Sequence, residues 1–324
     1  MNGDAPLASV VIPTLDAGAG FAETLAAVRA QQGVGPVDLV VVDSESRDAT
    51  PELAKGAGAH VRRIARATFN HGHTRNLGAA LARGRFVAFL TQDALPADDR
   101  WLVALIDSME REGAVGGLSR VLPRPGCSPL VERSVRNDLV FPPRRAVKRA
   151  SREEIERLTP LQRRILFHFN NVASCVRRDA FARAPFPGIA FGEDLAWGER
   201  MVRAGATLVY EPESIVIHSH ASALAVDFAR HKADATLMRQ LFGMVVRRGW
   251  RDGFACWREE VALDLRFVAA TSLPWREKFR HGLYSPFLRA AQVAGQVAGG
   301  RVAPGGAPDR PEMLPSPEGR TNAD

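Results

Sequence analysis

Two short, near-continuous apolar runs, VDLVVV at 37–42 and FVAFL at 86–90, most constrain what this chain can fold into. Both are too short for a typical buried helix, and neither alternates with polar residues as a strand with one wet face does. Such runs suit strands covered on both sides, as in a parallel sheet between layers of helix. Each leads into a polar loop that opens with or contains a carboxylate. Asp43 follows the first run, and Thr91-Gln92-Asp93 follow the second. Ligands of open α/β sheets bind at the carboxyl ends of strands, so Asp93, at the end of a rigid central strand, is the residue around which a site is sought.

The flanking sequence supplies the rest of such a sheet. Residues 8–14, ASVVIPT, predict a first strand, broken at Pro13. The loop LDAGAG then leads to a helix with Phe21, Leu25 and Val28 on one face, ended by Gly33. After Asp43 the polar loop SESRDAT leads to a helix with Thr50 as its cap and Pro51 at its first position. His60–Ile64 predict a third strand. FNHGHTRN, 69–76, reads as a shaped turn before a helix that runs to Arg83 and stops at Gly84. Beyond the central strand a helix begins near Asp98 and carries Trp101, Leu102, Leu105 and Met109, and Ala114–Ser119 predict a further strand. Strand alternating with helix over about 120 residues implies βαβ units. The rhythm breaks at 123–164, rich in Arg, Lys and Pro and with a capping-box-like Ser151 to Glu154, which reads as an insertion or flexible loop that meets the substrate, or simply as a solvated one. FNNVASCVRR restores a strand. A helix follows from Glu193 to Ala204 with Gly205 as its stop, and ATLVYEP and SIVIHSH predict two more strands.

The expected organisation is therefore an α/β domain over 1–225, a helical region over 226–298 with turns at Gly249, Pro274 and Pro286, and a disordered Gly/Pro-rich tail over 299–324. No internal repeat is present. No apolar run approaches the roughly 20 residues that span a bilayer, and the N-terminus lacks the features of a secretory signal. The three cysteines, Cys127, Cys175 and Cys256, form no CxxC pair, which suits a reducing compartment. The expected location is cytoplasmic, with peripheral contact at the inner face of the cell membrane as a further expectation. The net charge is +7, which suits a polyanionic or phosphorylated partner or an anionic membrane surface as well as a plain solvated face. Aromatics make up 7% and are not interleaved with the basic runs, so nucleic acid is not an expected partner.

The residues able to carry chemistry are Asp43 and Asp93 at strand ends, Glu193 and Asp194 at a helix start, and the pair His218 and His220 closing the last strand. Singly, each has an ordinary explanation as a cap or a solvent-facing group. Their order along a βα chain gives them a joint meaning. Gly18-Ala19-Gly20 after the first strand admits a Rossmann-like NAD- or SAM-dependent enzyme, but Glu23 stands where the third glycine of that motif belongs and would repel a pyrophosphate.

VVIPT at 10–14, VVDSESRDAT at 41–50, FNHGHTRN at 69–76, FLTQDALP at 89–96, NNVASCVRR at 170–178, FGEDLAWGERMVRAGATLVYEP at 191–212 and IHSH at 217–220 together resemble glycosyltransferase family 2, and within it the bacterial rhamnosyltransferase-like branch. The resemblance implies a GT-A fold, a mostly parallel central sheet flanked by helices. It also implies an inverting transfer of a sugar, rhamnose among the candidates, from a UDP- or dTDP-sugar to a hydroxyl of a cell-surface glycan or lipid-linked acceptor. It carries roles onto matching positions. Asp194 corresponds to the general base, with Glu193 in support. Asp43 corresponds to the acceptor of the base's imide N–H, with Pro13 and Thr14 lining the base pocket and Arg75 reaching the base or diphosphate. Asp93, with Gln92 beside it, lies at the nucleotide and corresponds to the anchor of a divalent cation, Mg²⁺ or Mn²⁺. Where family members carry Asp-x-Asp this chain has Thr91-Gln92-Asp93, so a histidine of HSH, His218 or His220, is expected to complete the shell. The missing first aspartate also admits a non-catalytic nucleotide-sugar-binding protein. Trp197 is either an acceptor-stacking ring or core. The aromatic and cationic residues of 226–297 suit a membrane interface, core packing or a dimer.

Overall fold

The computed structural model describes residues 5–219 and 223–301. His220 and the tail beyond residue 301 lie outside the described residues. In chain order the elements are β1 (Ala8–Thr14), α1 (Phe21–Arg29), β2 (Asp38–Asp43), α2 (Thr50–Gly56), β3 (His60–Arg63), α3 (His71–Leu81), β4 (Phe86–Leu90), β5 (Leu95–Pro96), α4 (Trp101–Arg111) and β6 (Gly116–Leu122). There follow α5 (Pro129–Arg136), β7 (Ala146–Lys148), α6 (Arg152–Arg157), α7 (Pro160–Phe167), β8 (Ala173–Arg177), α8 (Arg178–Arg183), α9 (Glu193–Arg203) and β9 (Leu208–Ile217). Three long helices close the chain: α10 (Leu224–Phe242), α11 (Trp250–Ala270) and α12 (Trp275–Gly300).

The described strands form one sheet in the order β3-β2-β1-β4-β8-β6-β9-β5, with β7 paired to β9. The fold is α/β, but the sheet is mixed rather than mostly parallel. β3, β2, β1 and β4 run parallel, whereas β8 enters antiparallel between β4 and β6. This places the start of β8 at the carboxyl end of β4, since Ala173 stands opposite Leu90. The two strands expected after Gly205 are one strand, β9, parallel to β6 with a register shift where Arg120 pairs with Ile215. Pro212 falls in the residues the shift skips, where its missing N–H breaks no ladder bond.

β1, β2 and β4 are buried almost throughout, which is why their sequences do not alternate. On one face of the sheet Phe21, Leu25, Trp101, Leu105 and Met109 from α1 and α4 form the core. On the other, Phe167, Phe181, Trp197, Met201, Met238 and Phe242 from α7 to α10 do so. Gly78 lets α3 lie directly on the sheet, because a Cβ there would stand 2.2 Å from Val11 Cγ1.

Several boundaries differ from the sequence reading. Thr50 lies inside α2 rather than capping it, and Asp48 accepts from the Thr50 N–H. His71 and His73 open α3 instead of preceding it, because the Asn70 side chain accepts from His73 N and caps the helix there. Residues 123–164 hold α5, β7, α6 and α7, with both a Ser151/Glu154 and a Thr159/Gln162 capping box formed. α12 continues through Gly299 and Gly300, where the tail was expected to start. Among the described residues, no helix is long and apolar enough to cross a membrane.

The C-terminal helices are tied to the sheet domain through α5. Asp264, wholly buried in α11, accepts from Arg133 Nε of α5 at 2.6 Å, from Arg289 Nε of α12 at 2.8 Å and from Ser285 Oγ at 2.6 Å. Burial alone would raise the Asp264 carboxyl pKa. The hydrogen bonds from Arg289 and Ser285, with the Arg289 charge, outweigh burial and hold it below the usual range.

Candidate active site

The register of the sheet brings Asp93 to His218. β5 pairs antiparallel with the end of β9, with Leu95 opposite Ile217. The residue two before Leu95 and the residue after Ile217 therefore meet, and His218 Nδ1 lies 3.4 Å from Asp93 Oδ1. His218 is buried, and Asp93 remains partly open. Thr91, standing where the first carboxylate was missing, lines the adjoining cavity. A carboxylate and an imidazole converging at a strand edge form a donor set that suits a hard divalent cation whose other positions go to phosphate and water. Among the described residues, no group of three or more His, Cys, Asp or Glu is placed to hold a metal.

The antiparallel entry of β8 sets the second cluster. Gly192 precedes α9 at φ 77°, a left-handed turn that glycine adopts without Cβ strain. A Cβ there would also stand 2.1 Å from Leu237 of α10. The turn presents Glu193 and Asp194 to Asn171, just before β8. Asn171 N donates to Asp194 Oδ2 at 3.0 Å and Asn171 Nδ2 to Glu193 Oε1 at 3.2 Å. Leu195 N donates to Asp194 Oδ1 at 2.8 Å. Burial and the charge of Glu193 push the Asp194 carboxyl up to about 6, against the lowering effect of the Asn171 N–H and Arg75.

Arg75, expected to reach the base or diphosphate, lines the same cavity and is held there by Glu193. It is buried in α3, and its Nη1 donates to Glu193 Oε1 at 2.8 Å, both side chains about 6% exposed. A guanidinium inside the fold needs a counter-charge, and Glu193 supplies it. His71, one turn before Arg75, lines the same cavity. Its pKa is lowered by burial and by the Arg75 charge, which keeps the ring neutral.

The expected base-pocket residues are used internally. Asp43 is fully buried. Its oxygens accept from Thr14 Oγ1 at 3.1 Å, Ser46 N at 3.1 Å and Ser46 Oγ at 2.5 Å, so it braces the loop after β2 instead of offering a free acceptor to a base. Thr14 is buried and bound to Asp43, and Pro13 is half-buried beside it. Gln92 is paired with the main chain of Leu15, its Oε1 accepting from Leu15 N at 2.8 Å and its Nε2 donating to Leu15 O at 3.1 Å. Both of its polar ends hold the loop after β1. Sequence reasoning missed Asp16, Asp48 and Arg66, which lace these loops together. Their only signal was a polar run after a strand.

Asp194, Glu193, His71, Thr91 and His218 line one cavity of about 650 Å³. Its far wall is helical, with Arg230 and His231 from α10, Arg289 and Gln292 from α12, and Leu130 and Ser134 from α5. Trp197 is not part of it. The ring is fully buried against Phe169, Phe181 and Phe186, and its Nε1 donates to Ala184 O at 2.7 Å, so it is core and does not stack on an acceptor. Asn171 and the helical wall were also missed, since they join the site only through the antiparallel course of β8 and the fold-back of α10 and α12.

The sequence model of glycosyl transferase family 2 matches residues 9–180. Among curated proteins, the chain is 31% identical over 227 residues to the O-antigen chain rhamnosyltransferase RfbN of Salmonella typhimurium, covering 69% of each. It is 27% identical over 262 residues to an N-acetylglucosaminyl-diphospho-decaprenol L-rhamnosyltransferase of Mycobacterium tuberculosis, covering 71% of this chain and 80% of that protein. Among solved structures, the mannosyltransferase PcManGT of Pyrobaculum calidifontis, in complex with GDP-Man and Mn²⁺, superposes with a TM-score of 0.54 at 19% identity, covering 91% of this chain and 87% of that one. That likeness supports the fold.

Proposed function

Because the chain belongs to glycosyl transferase family 2 and is therefore a glycosyltransferase, we propose that it moves a deoxysugar of the rhamnose type from a dTDP- or UDP-sugar to a hydroxyl of a lipid-linked glycan, with inversion. Family membership removes the dinucleotide alternative, and kinship with the O-antigen rhamnosyltransferases favours catalysis over binding alone. The observation that carries the proposal is the placing of Asp194 and His218, with Asp93 against it, around a single cavity. In this reading residues 1–225 form the nucleotide-sugar domain, and 226–298 supply the helical wall on the acceptor side.

The chemistry follows from the residues. The acceptor hydroxyl lies against Asp194, whose carboxylate takes the proton as the oxygen attacks the anomeric carbon. The bond from that carbon to the β-phosphate oxygen breaks, and its electron pair leaves with the nucleoside diphosphate. A carboxyl at about 6 is ionised at pH 7 yet more basic than an ordinary carboxylate, which suits the task. Glu193 and Arg75 fix the helix start that carries it. Asp93 and His218 would hold Mg²⁺ or Mn²⁺, which when bound neutralises charge on the departing diphosphate. A donor screen with purified protein and Mn²⁺, reading released nucleoside diphosphate, tests the function. Release from no dTDP- or UDP-sugar in the presence of lipid-linked glycans would overturn it. Asp93→Ala is expected to lower transfer by about 100-fold or more and to abolish the response to Mn²⁺ added back after chelation. An unchanged Mn²⁺ titration would remove Asp93 from the metal.

Contact with the membrane belongs to the same reading. Trp275, Phe279, Leu283 and Phe287 recur every four residues along one face of α12 and are 72%, 62%, 56% and 63% exposed. Trp250 and Phe254 of α11 are exposed as well, and Arg251, Arg258, Arg276 and Arg280 stand among them at the surface. Exposed aromatics with single arginines beside them match an anionic bilayer interface. Flotation with anionic liposomes is expected to carry the protein upward, and Trp275→Ala/Phe279→Ala to leave it at the bottom. Equal flotation of both proteins would remove this face from the interface.

A further inference from the structure

A second cavity of about 590 Å³ adjoins the first and shares Val131 and Ser219 with it. Its lining is cationic and hydrogen-bonding: Arg124, Arg280, His281, Ser128 and Tyr284. Nothing in the transfer chemistry above uses it. We propose that it binds the diphosphate of the acceptor, so that the enzyme recognises a lipid diphosphate and not merely a terminal sugar. This deepens the reading of a lipid-linked acceptor and rests on it.

Three observations converge on that ligand. The first is charge. Arg124 and Arg280 bring two guanidinium groups to one cavity, a pattern suited to phosphoryl oxygens. The second is position. Arg124 donates to the main-chain oxygen of Asp93, and Ser219 follows His218 directly, so the cavity abuts the place where the donor's reacting end must lie. An acceptor sugar joined to a diphosphate here reaches Asp194 through the shared wall. The third is what lies on the other side. Arg280, His281 and Tyr284 stand on the same helix as the exposed stripe of Trp275, Phe279, Leu283 and Phe287. Along α12, therefore, an apolar surface, a cationic cavity and the catalytic cavity follow one another, matching the lipid, diphosphate and sugar of one amphipathic substrate.

Glu277 now occupies these groups: its Oε2 lies 2.5 Å from Arg280 Nη2, an ion pair, and 3.8 Å from Nε2 of His281, whose ring is pushed toward the neutral form by burial and the Arg280 charge. His281 Nδ1 also lies 3.4 Å from Ser128 Oγ. A diphosphate must displace Glu277, so removing that charge should favour the ligand. This gives the test a signature that general damage would not produce.

The test uses geranyl diphosphate, geranyl monophosphate and inorganic pyrophosphate, titrated calorimetrically into the full chain in metal-free buffer, where the nucleotide site lacks its cation. Geranyl diphosphate is expected to bind more tightly than either of the others. Arg280→Ala and His281→Ala should each weaken it by about tenfold, and Glu277→Gln should tighten it severalfold. In all three variants, dTDP or UDP binding with Mn²⁺ should match the parent protein. Pyrophosphate binding as tightly as geranyl diphosphate would show a plain phosphate site and overturn the acceptor assignment. So would affinities that none of the substitutions change. Because no donor is present, failure here is separate from failure of sugar transfer, which the donor screen reads.

Discussion

Replacing Asp194 by Asn is expected to lower kcat/KM for sugar transfer by about 1,000-fold or more while leaving a protein that is more stable than the parent at pH 8. The two effects share one cause. Burial and the neighbouring Glu193 charge raise the Asp194 carboxyl from an ordinary 3.8 to about 6. Below pH 4 the folded and unfolded chains both hold the proton, and the site costs nothing. Between pH 4 and 6 the unfolded chain releases it first, so stability falls as pH rises. Above pH 6 the full cost of the buried charge is present, and the uncharged amide removes it. Thermal melts should therefore coincide at pH 4 and separate by pH 8, with the variant the higher. The parent's kcat/KM should climb with unit slope toward a plateau near pH 6, where Asp194 becomes able to accept a proton. A variant that kept transfer within tenfold of the parent would remove Asp194 from the chemistry.

The second large effect is on stability. Arg75→Met is expected to destabilise the fold by about 3–5 kcal/mol, because it leaves Glu193 charged, buried and without its partner. Glu193→Gln strands Arg75 in the same way. The double substitution should recover much of the loss, giving a strongly non-additive cycle in denaturant unfolding. The singles also move Asp194 in opposite directions. Losing the Arg75 charge shifts the rising limb of the pH profile upward, and losing the Glu193 charge shifts it downward, since these neighbours lower and raise that carboxyl respectively. A residue that served packing alone would move stability without moving the limb. Additive stability losses with an unmoved limb would refute the coupling.

Sequence patterns carried the parallel half of the sheet well, because β1, β2 and β4 are buried on both faces and their unbroken apolar runs are a direct print of that burial. The other half was harder to read. The direction of β8 is decided by what it pairs with, and a short run such as ASCVR looks the same in either direction. One consequence is that Asn171, which orients both Glu193 and Asp194, carried no local signal. The basic stretch 123–164 looked mobile because its helices are short, and the amphipathic one, α5, finds its partners in Val268 and Leu288 of the distant C-terminal helices. At the site, residue type was legible and partner was not. Asp43, Gln92 and Arg75 stand at ligand-facing positions in the motifs, yet each is held by Thr14 and Ser46, by Leu15 and by Glu193 respectively. Which of two acceptors a donor finds is settled in three dimensions. Asp93 and His218 met because a two-residue strand, β5, pairs with the end of β9.

The knot of Asp264 with Arg133 and Arg289 bears on how such an enzyme diversifies. One wall of the reaction chamber is made of strand ends, whose geometry a whole sheet enforces. The opposite wall is carried by helices held by that ionic rivet and by Leu237, Met238 and Phe242 of α10, packed into the core. Substitutions on the helical side can accumulate without disturbing the chamber's donor half, provided the rivet and the α10 core contacts survive. If the helical wall meets the acceptor as proposed, exchanging residues 226–301 between relatives that share the three rivet residues and the α10 core residues is the rational route to retargeting the enzyme.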